Sequence, residues 1–158
     1  MAFETASVDR DATALNLPLR PVAFDGLFGW FGAGIARRGV VLCATHGYEQ
    51  ISAHRPWRAL AERIAATGCA TLSVDYPGTG DSADAGADSV AAWLGAIRRA
   101  IRYLREEAGA EEIVLVGLRL GGTLACLAAR DEGIDRLVLL APFASGRAYL
   151  REMKMQSR

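Results

Sequence analysis

The sequence predicts an α/β protein, a three-layer sandwich in which a mostly parallel, twisted sheet carries helices on both faces. Three observations lead there. Strand-like and helix-like patterns alternate along the chain, the order that builds a parallel sheet. Several strand candidates are continuous apolar runs, as inner strands require, among them Val40-Val41-Leu42-Cys43-Ala44-Thr45 and Ile113-Val114-Leu115-Val116. The second of these runs leads through a glycine-bracketed corner, Gly117-Leu118-Arg119-Leu120-Gly121-Gly122, straight into a helical segment. With 158 residues, 51% hydrophobic and 23% charged, the chain has enough apolar mass for one core and reads as one soluble domain.

Element by element, residues 1–16 read as a loosely ordered N-terminus and 17–158 as the domain. Pro21 to Phe24 and Leu27 to Phe31 flank Asp25-Gly26, which supplies the positive φ angles of a tight hairpin turn. After the strand at Val40 to Thr45, Trp57, Leu60, Ala61 and Ile64 recur at helical spacing from Pro56 to Thr67, with Pro56 suited to the first turn and Gly68 to the C-terminal cap. Ala70 to Val74 is the next strand. Asp75-Tyr76-Pro77-Gly78-Thr79-Gly80-Asp81-Ser82 is a turn-rich loop. Ser89 to Glu107 is the longest helix, with Val90, Trp93, Leu94, Ile97, Ala100, Ile101 and Leu104 on one face and Arg98, Arg99, Arg102 and Arg105 on the other. A helix from about Leu120 to Arg130 follows the corner, then Leu137 to Leu140 as a strand, and Ala141 to Arg158 reads as the start of another element.

Composition excludes several functions. Eighteen basic and 18 acidic residues leave no electrostatic footprint for nucleic acid or an anionic membrane. The three cysteines, Cys43, Cys69 and Cys126, are odd in number, widely spaced and set among apolar neighbours, and so read as reduced core thiols of a cytoplasmic protein. Met1 to Asn16 has no apolar h-region, and no segment approaches the roughly 18 consecutive apolar residues of a membrane span. No cofactor or metal is expected.

The corner carries the functional question. Two glycines bracket one central residue because flanking Cβ atoms would clash in so tight a turn. This is the G-x-S-x-G pattern with Arg119 where a serine would stand. Acyl transfer needs a hydroxyl or thiol there, and a guanidinium stays protonated with no lone pair to offer.

Four motifs in order resemble the α/β-hydrolase superfamily. Thr45-His46-Gly47-Tyr48 looks like the histidine-glycine loop after that fold's third strand; Asp75 to Ser82 resembles its D-x-x-G-x-G-x-S loop; Gly117 to Gly122 resembles its nucleophile elbow; and Leu139-Leu140-Ala141-Pro142 resembles the end of its sixth strand. Gly47-Tyr48-Glu49, His54-Arg55, Asp75-Tyr76, Gly-Leu-Arg-Leu-Gly and Ser145 to Leu150 are similar to serine-aminopeptidase-like hydrolases encoded with exosortase systems, a subgroup in which arginine also stands at the elbow. The resemblance runs from about Pro18 to Arg151 and covers the N-terminal part of the fold. It implies a hydrolase of ester, thioester or peptide-like acyl bonds. It also implies that His46 shapes its loop through backbone hydrogen bonds while the backbone N–H groups of Tyr48 and Leu120 face the oxyanion. The family's acid and histidine follow later strands, yet His46 and His54 are the only histidines and both precede Arg119. The expectation is therefore a truncated α/β-hydrolase fold with the first six strands, completed by a missing C-terminal portion or by an oligomer, because an open sheet exposes strand edge and apolar surface.

The remaining candidates carry competing readings. His46 as a general base lacks a nucleophile to serve; His54 reads as a surface or capping residue. Asp75 and Asp81 lack the alternating oxygen ligands of a calcium loop and, with Gly78, Gly80 and Ser82, read as a structural loop held by Asx-type hydrogen bonds. Cys43 and Cys126 read as core rather than as nucleophiles. Arg119 begins a helix, where N–H groups and the dipole disfavour a cation unless an anion joins it. That anion is Glu49, in an ion pair that plugs the site, or a ligand carboxylate or phosphate. Two functions follow: a hydrolase by descent, or a non-catalytic scaffold binding a small anionic or acyl molecule or a protein partner.

Overall fold

Asp25 and Gly26 take φ angles of 45° and 73°, and this doubly left-handed turn folds β1 (Arg20–Phe24) back onto β2 (Leu27–Gly32). The computed structural model describes residues 19–156, so the loosely ordered stretch expected over 1–16 lies outside the described residues. Beyond the hairpin come β3 (Arg38–Cys43), α1 (Tyr48–Ala66), β4 (Ala70–Val74), α2 (Ser89–Glu107), β5 (Glu112–Leu118), α3 (Leu120–Ala128), β6 (Arg136–Leu140) and α4 (Gly146–Gln156). They form one six-stranded sheet in the order β1-β2-β4-β3-β5-β6. The hairpin joins it antiparallel, β2 against β4, and the β4-β3-β5-β6 pairings are parallel.

The period of two along the inner strands loads both faces. Val41, Cys43, Leu72, Val74, Ile113 and Leu115 meet Ile97, Ala100, Ile101 and Leu104 of α2 and Leu124, Ala125 and Ala128 of α3. Val40, Leu42, Val114 and Val116 point the other way, onto Trp57, Ala61 and Ala65 of α1. This is why β3 and β5 read as unbroken apolar runs. The sandwich is therefore three-layered as expected, with α2 and α3 on one face and α1 on the other.

Two elements depart from the sequence pattern. α1 begins at Tyr48, eight residues before the expected start, and Pro56 sits inside it rather than in its first turn. The residues before Pro56 are mostly polar and exposed, so they carry no apolar stripe; they are helical because Gly47, at φ 69°, turns the chain directly from the β3 loop into the helix. The predicted stop holds: Gly68, at φ 87°, donates its N–H to Ala65 O at 2.9 Å. β6 is a strand as expected, but every residue of it is exposed because it is the sheet's edge, leaving Leu137, Val138, Leu139 and Leu140 37–45% accessible.

α2 matches its expected bounds, capped by Asp88, whose carboxylate accepts from Ala91 N at 3.0 Å. Its apolar face is graded, with Ile97 fully buried and Val90 51% exposed at the first turn. Replacing Ile97 by Ala should cost about 2–5 kcal/mol of unfolding free energy in urea titrations, through lost burial and an unfilled cavity. Val90→Ala should stay within about 0.5 kcal/mol; equal losses at the two positions would contradict this packing.

Candidate functional site

The corner between β5 and α3 is closed by backbone contact. Arg119 sits at φ 53°, ψ −116°, a conformation that costs an L-residue about 1–3 kcal/mol and that only surrounding structure can impose. A Cβ on Gly121 would lie 2.0 Å from Cys43 O and 2.2 Å from Ala44 O, and one on Gly117 would lie 2.4 Å from Gly122 Cα. Glycine is therefore required at both positions. Arg119 N donates to Leu140 O at 2.9 Å, which ties the corner to the end of β6.

Here a side chain is projected above the carboxyl ends of the strands, and that side chain is a guanidinium. Arg119 Nε donates to Glu49 Oε1 at 3.0 Å, and Nη2 donates to the carboxylate of Glu152 on α4. Nη1 lies 3.5 Å from Ala141 O, and the guanidinium carbon sits 4.2 Å above the ring of Phe143. The other oxygen of Glu49 accepts from the buried Thr45 Oγ1 at 2.9 Å. Arg119 and Glu49 are each about one-quarter exposed, at 25% and 24%, so water screens this pair less than a surface bridge. α4 also reaches the loop after β3: the position a Cβ would take on Gly47 is 3.8 Å from Met153 Cε. Glu152 and Phe143 were not among the sequence candidates. Both belong to the segment after β6, and nothing local in the sequence shows which way it folds back.

The loop after β3 brings His46, Gly47 and Tyr48 to the same end of the sheet. Tyr48 and Leu120 open α1 and α3, so their N–H groups have no acceptor within their own helices. The His46 ring stacks obliquely on Trp93 at 4.5 Å, and its Nδ1 is buried without a hydrogen-bond partner. The expected backbone hydrogen bond is thus missing at that nitrogen, and ring packing on α2 orients the histidine instead. Burial lowers its pKa, which favours the neutral imidazole. Among the described residues no hydroxyl or thiol is hydrogen-bonded to it.

The Asp75 loop is structural in its bonding but not through Asx turns. Asp75 Oδ2 accepts from Asp81 N, six residues on rather than two, at 3.2 Å. Ser82 Oγ donates to Asp75 O at 2.7 Å and accepts from Phe28 N at 2.9 Å, locking the loop to β2. Gly78 and Gly80 have φ of 79° and 51°, and a Cβ on Gly80 would sit 2.0 Å from Asp75 Oδ2. His54 is exposed, yet it lies in the second turn of α1 and caps nothing.

The thiols separate by position. Cys43 is buried on the α2 side of β3, where desolvation pushes its pKa up to about 12. Cys69 and Cys126 are half-buried rather than core, because Cys69 follows the Gly68 turn and Cys126 sits on the flank of α3 beside the exposed Leu127. Among the described residues no group of three or more His, Cys, Asp or Glu is placed to hold a metal ion, and no helix is long and apolar enough to cross a membrane.

The family described as the alpha/beta hydrolase fold matches residues 40–157, about three-quarters of the chain. The chain belongs to the α/β-hydrolase family. No curated protein sequence matches it significantly. Among solved structures, an α/β serine hydrolase without lid from Xanthomonas campestris is 18% identical with a TM-score of 0.69, covering 82% of this chain and 63% of its own. An α/β serine hydrolase homologue from Coxiella burnetii is 15% identical (TM-score 0.70, covering 85% and 68%), and an esterase from Pyrococcus furiosus is 16% identical (TM-score 0.68, covering 80% and 52%). The chain thus spans between half and about two-thirds of these hydrolases, and at such identities the likeness is one of fold.

His46 yields a pH test. Its pKa is lowered in the fold from 6.5, so the unfolded chain protonates first, and stability falls as pH drops below about 6.5 until the folded-state pKa is passed. Melting temperature should therefore fall more steeply between about pH 7 and pH 5 in the wild type than in His46→Phe, which keeps the stack on Trp93 but does not titrate. Parallel profiles would contradict the buried neutral imidazole.

Proposed function

We propose that this chain is a hydrolase-family scaffold that does not form an acyl-enzyme, its elbow closed by an ion-paired arginine. The observation that carries the reading is that Arg119 stands at the left-handed corner with Glu49 and Glu152 on its guanidinium. A covalent step requires an atom that gives an electron pair to a carbonyl and a base that takes its proton. Arg119 can do neither, because a guanidinium carries N–H donors only and has no lone pair to offer. The acyl chemistry implied by descent, on an ester, thioester or peptide-like bond, then becomes recognition. A small acyl or anionic molecule would use the Arg119 donors or the N–H groups of Tyr48 and Leu120, and the exposed apolar edge of β6 would take a further strand from a second copy or another polypeptide. Within the family, the Gly47-Tyr48-Glu49 and Gly117-Leu118-Arg119-Leu120-Gly121 wording supports the serine-aminopeptidase-like subgroup associated with exosortase systems. Three unpaired thiols support a cytoplasmic setting.

A second reading is hydrolysis by other residues in a longer form of the protein. The likeness to the Pyrococcus furiosus esterase favours it.

A fluorophosphonate probe and a panel of p-nitrophenyl esters separate the two. The expected result is no covalent labelling and no burst of nitrophenol, and a labelled residue overturns the proposal.

The plug has its own test. Glu49→Gln removes one charge from the Arg119 pair and should cost about 1.5–3 kcal/mol in urea unfolding, the worth of a hydrogen bond to a charged group. Unchanged stability, together with a melting temperature raised by inorganic phosphate or acetate, would assign the guanidinium to ligand binding instead.

A further inference from the structure

On the α1 face of the sheet, where β2 and β4 pass beneath α1, lies a cavity of about 270 Å³ that neither Arg119 nor Glu49 lines. Its walls are unlike the surroundings of Arg119. Phe28, Trp30 and Trp57 contribute three aromatic rings, the first two packed edge-to-face at 5.9 Å, and Asp75 and Asp81 contribute carboxylates at one end.

We propose that this cavity binds a small organic cation, an ammonium group carried on an aromatic or branched apolar body. The volume is near the small end of ligand sites, about 300–1,000 Å³, and suits a single ring with a short amine arm. Asp75 offers the reason for a cation. Its only side-chain hydrogen bond within the described residues is the one its Oδ2 accepts from Asp81 N, although a carboxylate can accept about four. The acceptor capacity left over is half-buried beside a second carboxylate. Desolvation, which is not fully offset by that one N–H, holds the Asp75 pKa up, and a ligand ammonium would relieve it.

The aromatic walls support the same sign of charge. The Arg58 guanidinium covers one face of the Trp30 ring, 3.9 Å from its centre, and its Nε is held by Glu62 at 3.0 Å, which leaves Phe28 and Trp57 as the rings to face a bound cation. The bridge to Glu62 offsets the charge of Arg58, and the two aspartates share the opening with His54. Trp57 supplies an independent sign of a ligand: it lines the cavity, is 91% buried (9% exposed), and its Nε1–H has no acceptor. A buried indole N–H without a partner costs free energy, which the π face of a ring on the bound molecule would recover as an N–H acceptor. Ser82 and Phe28 fix the Asp75 backbone to β2, so the carboxylate is presented by a rigid element rather than a mobile loop.

The test uses the full chain and phenethylammonium chloride as probe, with phenylacetate and 2-phenylethanol as anionic and neutral controls, read by isothermal titration and tryptophan fluorescence. Saturable binding of the ammonium is expected, with both controls at least about tenfold weaker, the scale of one charge-assisted contact. Asp81→Asn should weaken the ammonium by a similar factor. Inorganic phosphate, the probe of the Arg119 guanidinium, should not displace the ammonium, so this result and the fate of the elbow reading are separable. Asp75→Asn should weaken it more; where that variant fails to fold by circular dichroism, Asp81→Asn decides. No saturation by the ammonium, equal binding of the three probes, or an Asp81→Asn affinity equal to wild type overturns the proposal.

Discussion

The rest of the site depends on how closely α3 approaches the end of β3. With the position of a Gly121 Cβ only 2.0 Å from Cys43 O, the first turn of α3 and the strand are in backbone contact, and no side chain of any size fits between them. β3 lies inside the sheet between β4 and β5, so this contact fixes α3 against the middle of the molecule rather than its margin. Two consequences follow. The chain leaving β5 has one residue in which to reverse direction, which forces Arg119 to φ 53°; and the loop leaving β3, with His46 and Gly47, must pass immediately beside that corner. Proximity of the His46-Gly47 loop to the corner is thus a result of helix-on-strand packing, before any chemistry is considered.

A positive charge at such a corner works against the helix it precedes, because the N-terminal dipole and the unpaired N–H groups of α3 both repel it. The surroundings offset this. Glu49 lies in the first turn of α1, where a carboxylate is favourable, and from there it reaches the guanidinium. Glu152 approaches from α4 and Phe143 from beneath, with Thr123 Oγ1 donating to Phe143 O at 2.9 Å to hold that segment onto α3. One guanidinium therefore gathers α1, α3 and α4 at a single point. What a nucleophile would contribute as reactivity, the arginine contributes as cohesion, and it holds α4 against the loop after β3.

The parts of this arrangement that could be read in the sequence are those set by local periodicity. α2 was legible to its ends because Ile97, Ala100, Ile101 and Leu104 mark one face and Asp88 caps the start. The β1–β2 turn was legible because Asp25-Gly26 leaves the backbone few alternatives. The start of α1 was not. Tyr48 to Arg55 bury little and show no stripe, so a proline nine residues into the helix looked like its beginning. β6 shows the complementary failure: apolar composition identifies a strand but says nothing of its place at the edge. Glu152 shows a third, since it meets Arg119 across 33 residues of chain and only tertiary folding relates the two.

The long α1 also explains how one element can serve two places with opposite demands. Its first turn delivers Glu49 to a cation above the sheet, and Gln50 of that turn with His54, Trp57 and Arg58 of the next two line the aromatic cavity on the sheet's flank. Pro56 falls between Glu49 and the buried Trp57, Ala61 and Ala65, and it lacks the N–H that would bond one turn back. An interior proline costs a helix about 3 kcal/mol, so α1 persists through it only because both ends are held, the first by the Arg119 pair and the last by burial against β3 and β5. Loosening the Arg119 pair should then fray α1 as far as the proline while leaving the segment beyond it seated on the sheet. The helix that looks continuous is, energetically, two anchored pieces joined where the backbone ladder is weakest.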